Sequence, residues 1–188
     1  MTFRLKVAAL LAVSALGLVP LSTVALAKDG SRFDTTLSGY EELPTLSTSG
    51  NGTFEAKLDK DGSELAYMLS YEGPFDGNAT GAASTVTQAH IHFGARAFSG
   101  GVSAFLCTNL DNGPSGTPAC PATSGSVSGV ITPAAIVGAA ANQGIAAGEL
   151  VELVRALRAG AAYANVHTAA NPTGEIRGQI EGNKKNGD

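Results

Sequence analysis

Few residues of the kinds that announce a chemistry are present. Across 188 residues there are 12 Lys and Arg against 16 Asp and Glu, only two Cys and only three His. The weak basic complement excludes nucleic acid as a partner, because a phosphate backbone demands a basic surface. The one local basic cluster, Lys184-Lys185, lies in a Gly/Asn-rich tail and reads as solvated. No serine sits in a nucleophile elbow, and neither a phosphate loop nor a zincin helix is present, so no catalytic residue can be named. Glu41 and Glu42 would point to opposite faces if extended, which argues against glycosidase chemistry. No internal repeat is evident. Beyond residues 7–19 no apolar stretch is long enough to cross a bilayer, which excludes an integral membrane segment.

That first apolar run has a different reading. Arg4 and Lys6 precede it, and Ala25-Leu26-Ala27 offers small residues where a signal peptidase cuts. Residues 1–27 are therefore expected to be a signal peptide, and 28–188 a single exported domain, periplasmic or secreted, with its core over about 33–180 and a flexible tail at 181–188. Removal of Arg4 and Lys6 from the 12 basic residues leaves 10 against 16 acids, a net charge of −6. An exported chain with an even pair of cysteines predicts a disulfide, Cys107 to Cys120, across a loop rich in Asn, Gly, Pro and Ser. Such a bond is worth about 3 kcal/mol on the chain-entropy estimate.

What the chain does contain is alternation. Phe33, Thr35 and Leu37 alternate with polar neighbours, as do Phe54, Ala56, Leu58 and then Leu65, Tyr67, Leu69 on either side of an Asp-Lys-Asp-Gly turn, a β-hairpin pattern. Further strands are predicted from near Thr85 through the histidines, over Val102–Cys107, over Tyr163–Thr168 and over Glu175–Ile180, with a shorter one at Val127–Ile131. Thr132-Pro133 reads as a helix start leading to a short helix as far as Ala141, and Glu149–Ala159 carries apolar residues at helical spacing. Gly100-Gly101 reads as a turn. These elements predict an all-β fold, an antiparallel β-sandwich or Greek-key barrel with a helical insertion near residues 133–159.

Two of the three histidines fall one residue apart in Gln88-Ala89-His90-Ile91-His92-Phe93-Gly94, which places both on one face of a strand. The third, His167, shares its face with Tyr163 and Asn165. If the strands meet, three neutral imidazoles could hold a transition metal, Cu or Zn, with an open coordination position. Metal-bound histidine donates its second N–H to a carboxylate or carbonyl, so Glu175 and Glu42 are candidate supports, with Arg177 and Asn165 on adjoining positions. The same residues could instead form a hydrogen-bonded patch that braces the sheet, and Glu175 with Arg177 a cross-strand ion pair.

Four motifs in order, Leu37-Ser38-Gly39 with Glu42-Leu43-Pro44, Ala89-His90-Ile91-His92 with Gly94, Tyr163 to Thr168, and Pro172 to Ile180, resemble the CHRD domain found in chordin and in exported microbial proteins. The resemblance covers about Phe33 to Ile180 and implies an extracytoplasmic β domain without a settled biochemical activity, expected to be a binding or matrix-associated module with no protein or matrix partner identified. Chordin's cysteine-rich modules are absent, so growth-factor antagonism is not implied. The His-x-His strand is also faintly similar to copper/zinc superoxide dismutase, where it would imply a copper-dependent redox enzyme or carrier with Arg177 guiding anions. No further histidines are present for a bridged second metal.

Overall fold

The computed structural model describes residues 31–182; residues 1–30, which include the expected signal peptide, and residues 183–188 lie outside them. The strands are β1 (Arg32–Ser38), β2 (Asn51–Leu58), β3 (Leu65–Glu72), β4 (Val86–Phe93), β5 (Gly101–Thr108), β6 (Ser124–Ile131), β7 (Ala162–Thr168), β8 (Ile176–Gln179) and the two-residue β9 (Glu181–Gly182). One α-helix, α1 (Leu150–Arg158), precedes β7. The strands join antiparallel in the order β5-β4-β7-β8-β1-β2-β3-β6, and β9, at the start of the expected tail, pairs with β1. The sheet curls until its end strands approach: Tyr67 of β3 donates to the Leu106 carbonyl of β5 at 2.6 Å, and Ile136, just after β6, bridges to Ala104. The result is an all-β, nearly closed barrel.

Alternation built this barrel. In β2 and β3 every second residue is buried, and Phe54, Leu65 and Leu69 meet Phe33, Leu37, Ile91, Leu106 and Ile131 inside. Each such side chain contributes about 1.5–3 kcal/mol on burial. Helix α1 closes one end with Leu150, Leu153, Val154 and Leu157, the i, i+3, i+4, i+7 stripe, and Gly160 ends it in a left-handed conformation at φ 65°. The Cys107–Cys120 disulfide forms, tying β5 to the loop that follows it.

Two elements differ from the sequence reading. The helix expected from Pro133 to Ala141 is two 3₁₀ turns, Pro133–Ala135 and Gly138–Gln143. Ile136 and Val137 interrupt them because they serve as extended cover for β5, with the Val137 amide donating to the Ser103 carbonyl at 2.9 Å. Gly101 allows that cover to approach, since a Cβ there would strike the backbone of Ala139 and Ala140. Strand β6 is longer than its composition suggests. It pairs with β3 along its whole length, and those ladder bonds override the poor strand propensity of Ser-Gly-Ser.

Candidate metal centre

Strands β4 and β7 are neighbours, with Gln88 opposite His167, His90 opposite Asn165 and His92 opposite Tyr163. On the other side of β4, the pairing to β5 slips between Ala89 and His90 and again between Ile91 and His92. Bulges re-aim side chains, and here one slip falls just before His90 and the other inside the His-x-His segment, between Ile91 and His92. All three imidazoles are buried, at 3%, 8% and 5% exposure for His90, His92 and His167. Ring centroids lie 5.4 Å apart for His90 and His92, 4.8 Å for His90 and His167, and 6.0 Å for His92 and His167.

Backbone carbonyls set the tautomers. Nδ1 of His92 donates to the Gly100 carbonyl at 2.9 Å, and Nδ1 of His167 to that of Pro172 at 3.0 Å. A carbonyl can only accept, so in each neutral ring Nε2 carries the lone pair. His90 Nδ1 lies 3.0 Å from His167 Nε2 and donates to it. That leaves Nε2 of His90 and Nε2 of His92 buried with no partner. Burial holds His90 down at about 2, with the neighbouring histidines adding to the effect, and His167 at about 4. His92 is lowered too, chiefly by burial. The rings are therefore neutral at physiological pH, the state in which imidazole binds metal.

One nitrogen from each ring lies within 4.8 Å of the others. With bonds near 2.0–2.1 Å, ligand atoms around a common ion span at most about 4 Å. The set therefore fits a metal after an inward closure of under about 1 Å, with His90 able to offer either nitrogen. Aromatic contacts hold the rings: Phe105 meets His90 edge-on at 4.4 Å, and Tyr163 stacks on His92 at 4.8 Å with only 7° between planes. The Arg177 guanidinium lies 3.4 Å over the Tyr163 ring.

A CHRD domain profile matches residues 33–180. The chain belongs to the CHRD family. No curated protein and no solved structure matches it.

Of the supporting residues expected in this CHRD domain, Asn165 sits between Glu42 and His92 and acts on both. Glu42 is buried with Oε1 unpartnered; burial pushes its carboxyl up to about 7 against the pull of the Leu43 amide, Arg177 and Asn165. Gly174, at φ 132°, makes room for this pair, because a Cβ there would strike both Glu42 and Asn165. Arg177 is committed to structure, donating to the Ala95 and Phe98 carbonyls at 3.3 and 3.0 Å. Glu175 takes its hydrogen bonds elsewhere, accepting from Thr168 and Asn171 on Oε2 and from Thr48 and the Gly77 amide on Oε1. Arg177 and Glu175 form no ion pair with each other among the described residues.

The groups that sequence reasoning missed are mostly backbone. Gly100, read as a turn, supplies both the carbonyl for His92 and an amide that donates to the Tyr163 hydroxyl at 3.2 Å. Backbone groups leave no side-chain signal. Tyr163 did leave one, since alternation already put it on the histidine face. A cleft of about 360 Å³, lined by Asp34, Ser38, Gln179 and others, contains no histidine, and its Glu41 and Glu181 already pair with Arg96.

Proposed function

We propose that this CHRD domain is an exported binding or matrix-associated module whose outer sheet face holds one transition-metal ion, copper or zinc, on His90, His92 and His167. The observation that carries the reading is the pair of buried imidazole nitrogens, on His90 and His92, that have no partner. An unmet buried polar group costs on the order of 1–3 kcal/mol; a metal would take the lone pair of His92 Nε2, and His90 and His167 would join it once the proton between them has moved off Nδ1 of His90. The carbonyl bonds from Gly100 and Pro172 are the supports that ligating histidines use, fixing each ring so that Nε2 faces inward. Export is supported by the Arg4/Lys6 flank, the short apolar run and the Ala25-Leu26-Ala27 site, together with a disulfide suited to an oxidising compartment. No helix among the described residues is long and apolar enough to cross a membrane.

The test is metal analysis of the protein expressed with its export signal, then incubated with copper or zinc and desalted. One equivalent per chain is expected in the wild type and none in His92→Ala. A wild-type protein that retains neither metal overturns the reading. Superoxide turnover by the copper-loaded protein, lost in His92→Ala, would move the conclusion from a binding module to a redox enzyme.

A further inference from the structure

Resting on the metal site proposed above, we propose that the His90/His92/His167 centre selects monovalent copper, Cu(I), over Cu(II) and Zn(II), and that Arg177 imposes this preference through its fixed positive charge. Imidazole by itself does not discriminate in this way, because it suits copper, zinc and other divalent metals alike. The discrimination has to come from the surroundings of the rings.

Those surroundings are dry, and the ring nitrogens' hydrogen bonds go to carbonyls and to each other rather than to a carboxylate. The three ligands are neutral, and none is more than 8% exposed. Taking an ion out of water costs more the higher its charge, and only nearby opposite charge repays the cost. A divalent ion on three neutral imidazoles would leave two uncompensated charges, whereas Cu(I) leaves one. Two nearby carboxylates are engaged elsewhere. Glu175 is saturated by Thr168, Asn171, Thr48 and the Gly77 amide, and Glu41 pairs with Arg96. Glu42 is separated from His92 by Asn165 and lies in the field of Arg177.

The fixed charge that acts on a ligand ring is positive. Arg177 lies 3.4 Å over one ring, Tyr163, which itself stacks at 4.8 Å on the ligand His92, and its field opposes positive charge on that imidazole. The guanidinium is pinned there by the Ala95 and Phe98 carbonyls and cannot swing away to relieve the repulsion. For a separation on the order of 10 Å and an effective dielectric constant of about 20, one such charge shifts the relative affinity of ions that differ by one unit of charge by roughly ten- to twentyfold. Coordination number acts in the same direction. Cu(I) is satisfied by three ligands, whereas zinc takes a fourth, a water that would itself need hydrogen-bond partners in a closed site.

Chelator competition on the exported protein tests the proposal, run anaerobically with reductant for Cu(I) and in parallel for Cu(II) and Zn(II). Cu(I) is expected to bind at least about 100-fold more tightly than Zn(II), the single-charge effect of Arg177 being compounded by burial. Arg177→Met, which keeps the apolar stem, should reduce the preference for Cu(I) over Cu(II) about tenfold, read as a fall of about 59 mV in the one-electron reduction potential. Arg177→Lys should keep most of the wild-type value. If the Arg177 variants do not fold, Glu42→Gln removes the one carboxyl able to offset the charge and should raise the potential. Zn(II) or Cu(II) bound on the same histidines as tightly as Cu(I), or a potential unmoved in the variants that fold, overturns the selectivity and leaves the site standing. Failure to bind any of the three ions overturns the site and this inference with it.

Discussion

Two buried polar clusters flank β7, and they are satisfied to very different degrees. Around Glu175, both carboxylate oxygens are used, by two threonine hydroxyls, one asparagine amide and one backbone amide drawn from the 48, 77, 168 and 171 segments. Burial alone would raise that carboxyl, yet those donors outweigh it and hold it below the ordinary range. Around His90 and His92, nitrogens of both rings, Oδ1 of Asn165 and Oε1 of Glu42 have no partner. The first cluster is complete as a brace: it fastens loops to the barrel and needs nothing more. The second is held just as firmly, by carbonyls and stacked rings, but around atoms whose bonding capacity is unspent.

The sharpest way to break this contrast is Glu175→Ala. It would strip four donors of their acceptor and should cost about 3–5 kcal/mol, read from urea unfolding, while the folded fraction still binds metal. Loss of metal from folded protein with little change in stability would reverse the two roles.

The next effect is acid sensitivity of the metal-free protein. A free histidine titrates near 6.5, whereas His167 is held at about 4 and His90 at about 2, so below pH 6.5 the unfolded chain takes up protons before the folded one. The stability these rings contribute is complete above about pH 6.5 and is lost as pH falls. Glu42 acts in the opposite sense: its folded value of about 7 gives stability that is complete below 4.5 and lost as pH rises through 7. Three histidines outweigh one carboxyl, so urea midpoints at pH 7 and pH 5 should show a net loss on the order of a few kcal/mol at the lower pH. Bound metal should oppose that loss while the rings remain ligated, and a metal-free protein equally stable at both values would contradict the burial argument.

The smallest expected change in stability carries the most functional weight. His92→Phe keeps the ring stacked on Tyr163, removes an orphan nitrogen and gives up one bond to the Gly100 carbonyl. Metal-free stability should stay within about 1 kcal/mol of wild type while metal binding disappears. A large loss of stability would make His92 a brace like Glu175.

Much of the fold could be read from residue order alone. Strands β1 to β3 announced themselves because one face of each is apolar and the other wet, and α1 did so through Leu150, Leu153, Val154 and Leu157. Periodicity also put His90 with His92, and His167 with Tyr163 and Asn165. It gave β6 only from Val127 to Ile131, missing the Ser124-Gly125-Ser126 start that pairs because β3 lies alongside, and it failed at residues 133–143, where Ile136 is taken up by β5. It misjudged Glu175 as a support for the histidines, because a shared face does not say which loop will fold over it: Thr48 and Gly77 arrive from 127 and 98 residues away in sequence.

Sequence by itself determined that the chain is a β domain of the CHRD family and which residues could serve as ligands, since alternation and motif are local properties of the chain. Only the tertiary structure decided that the three imidazoles converge, which nitrogen of His92 and His167 carries the lone pair, and that Arg177 lies over the Tyr163 ring stacked on His92. Those outcomes depend on strand register, two bulges and the carbonyls of distant turns, and such contacts exist only once the barrel has closed.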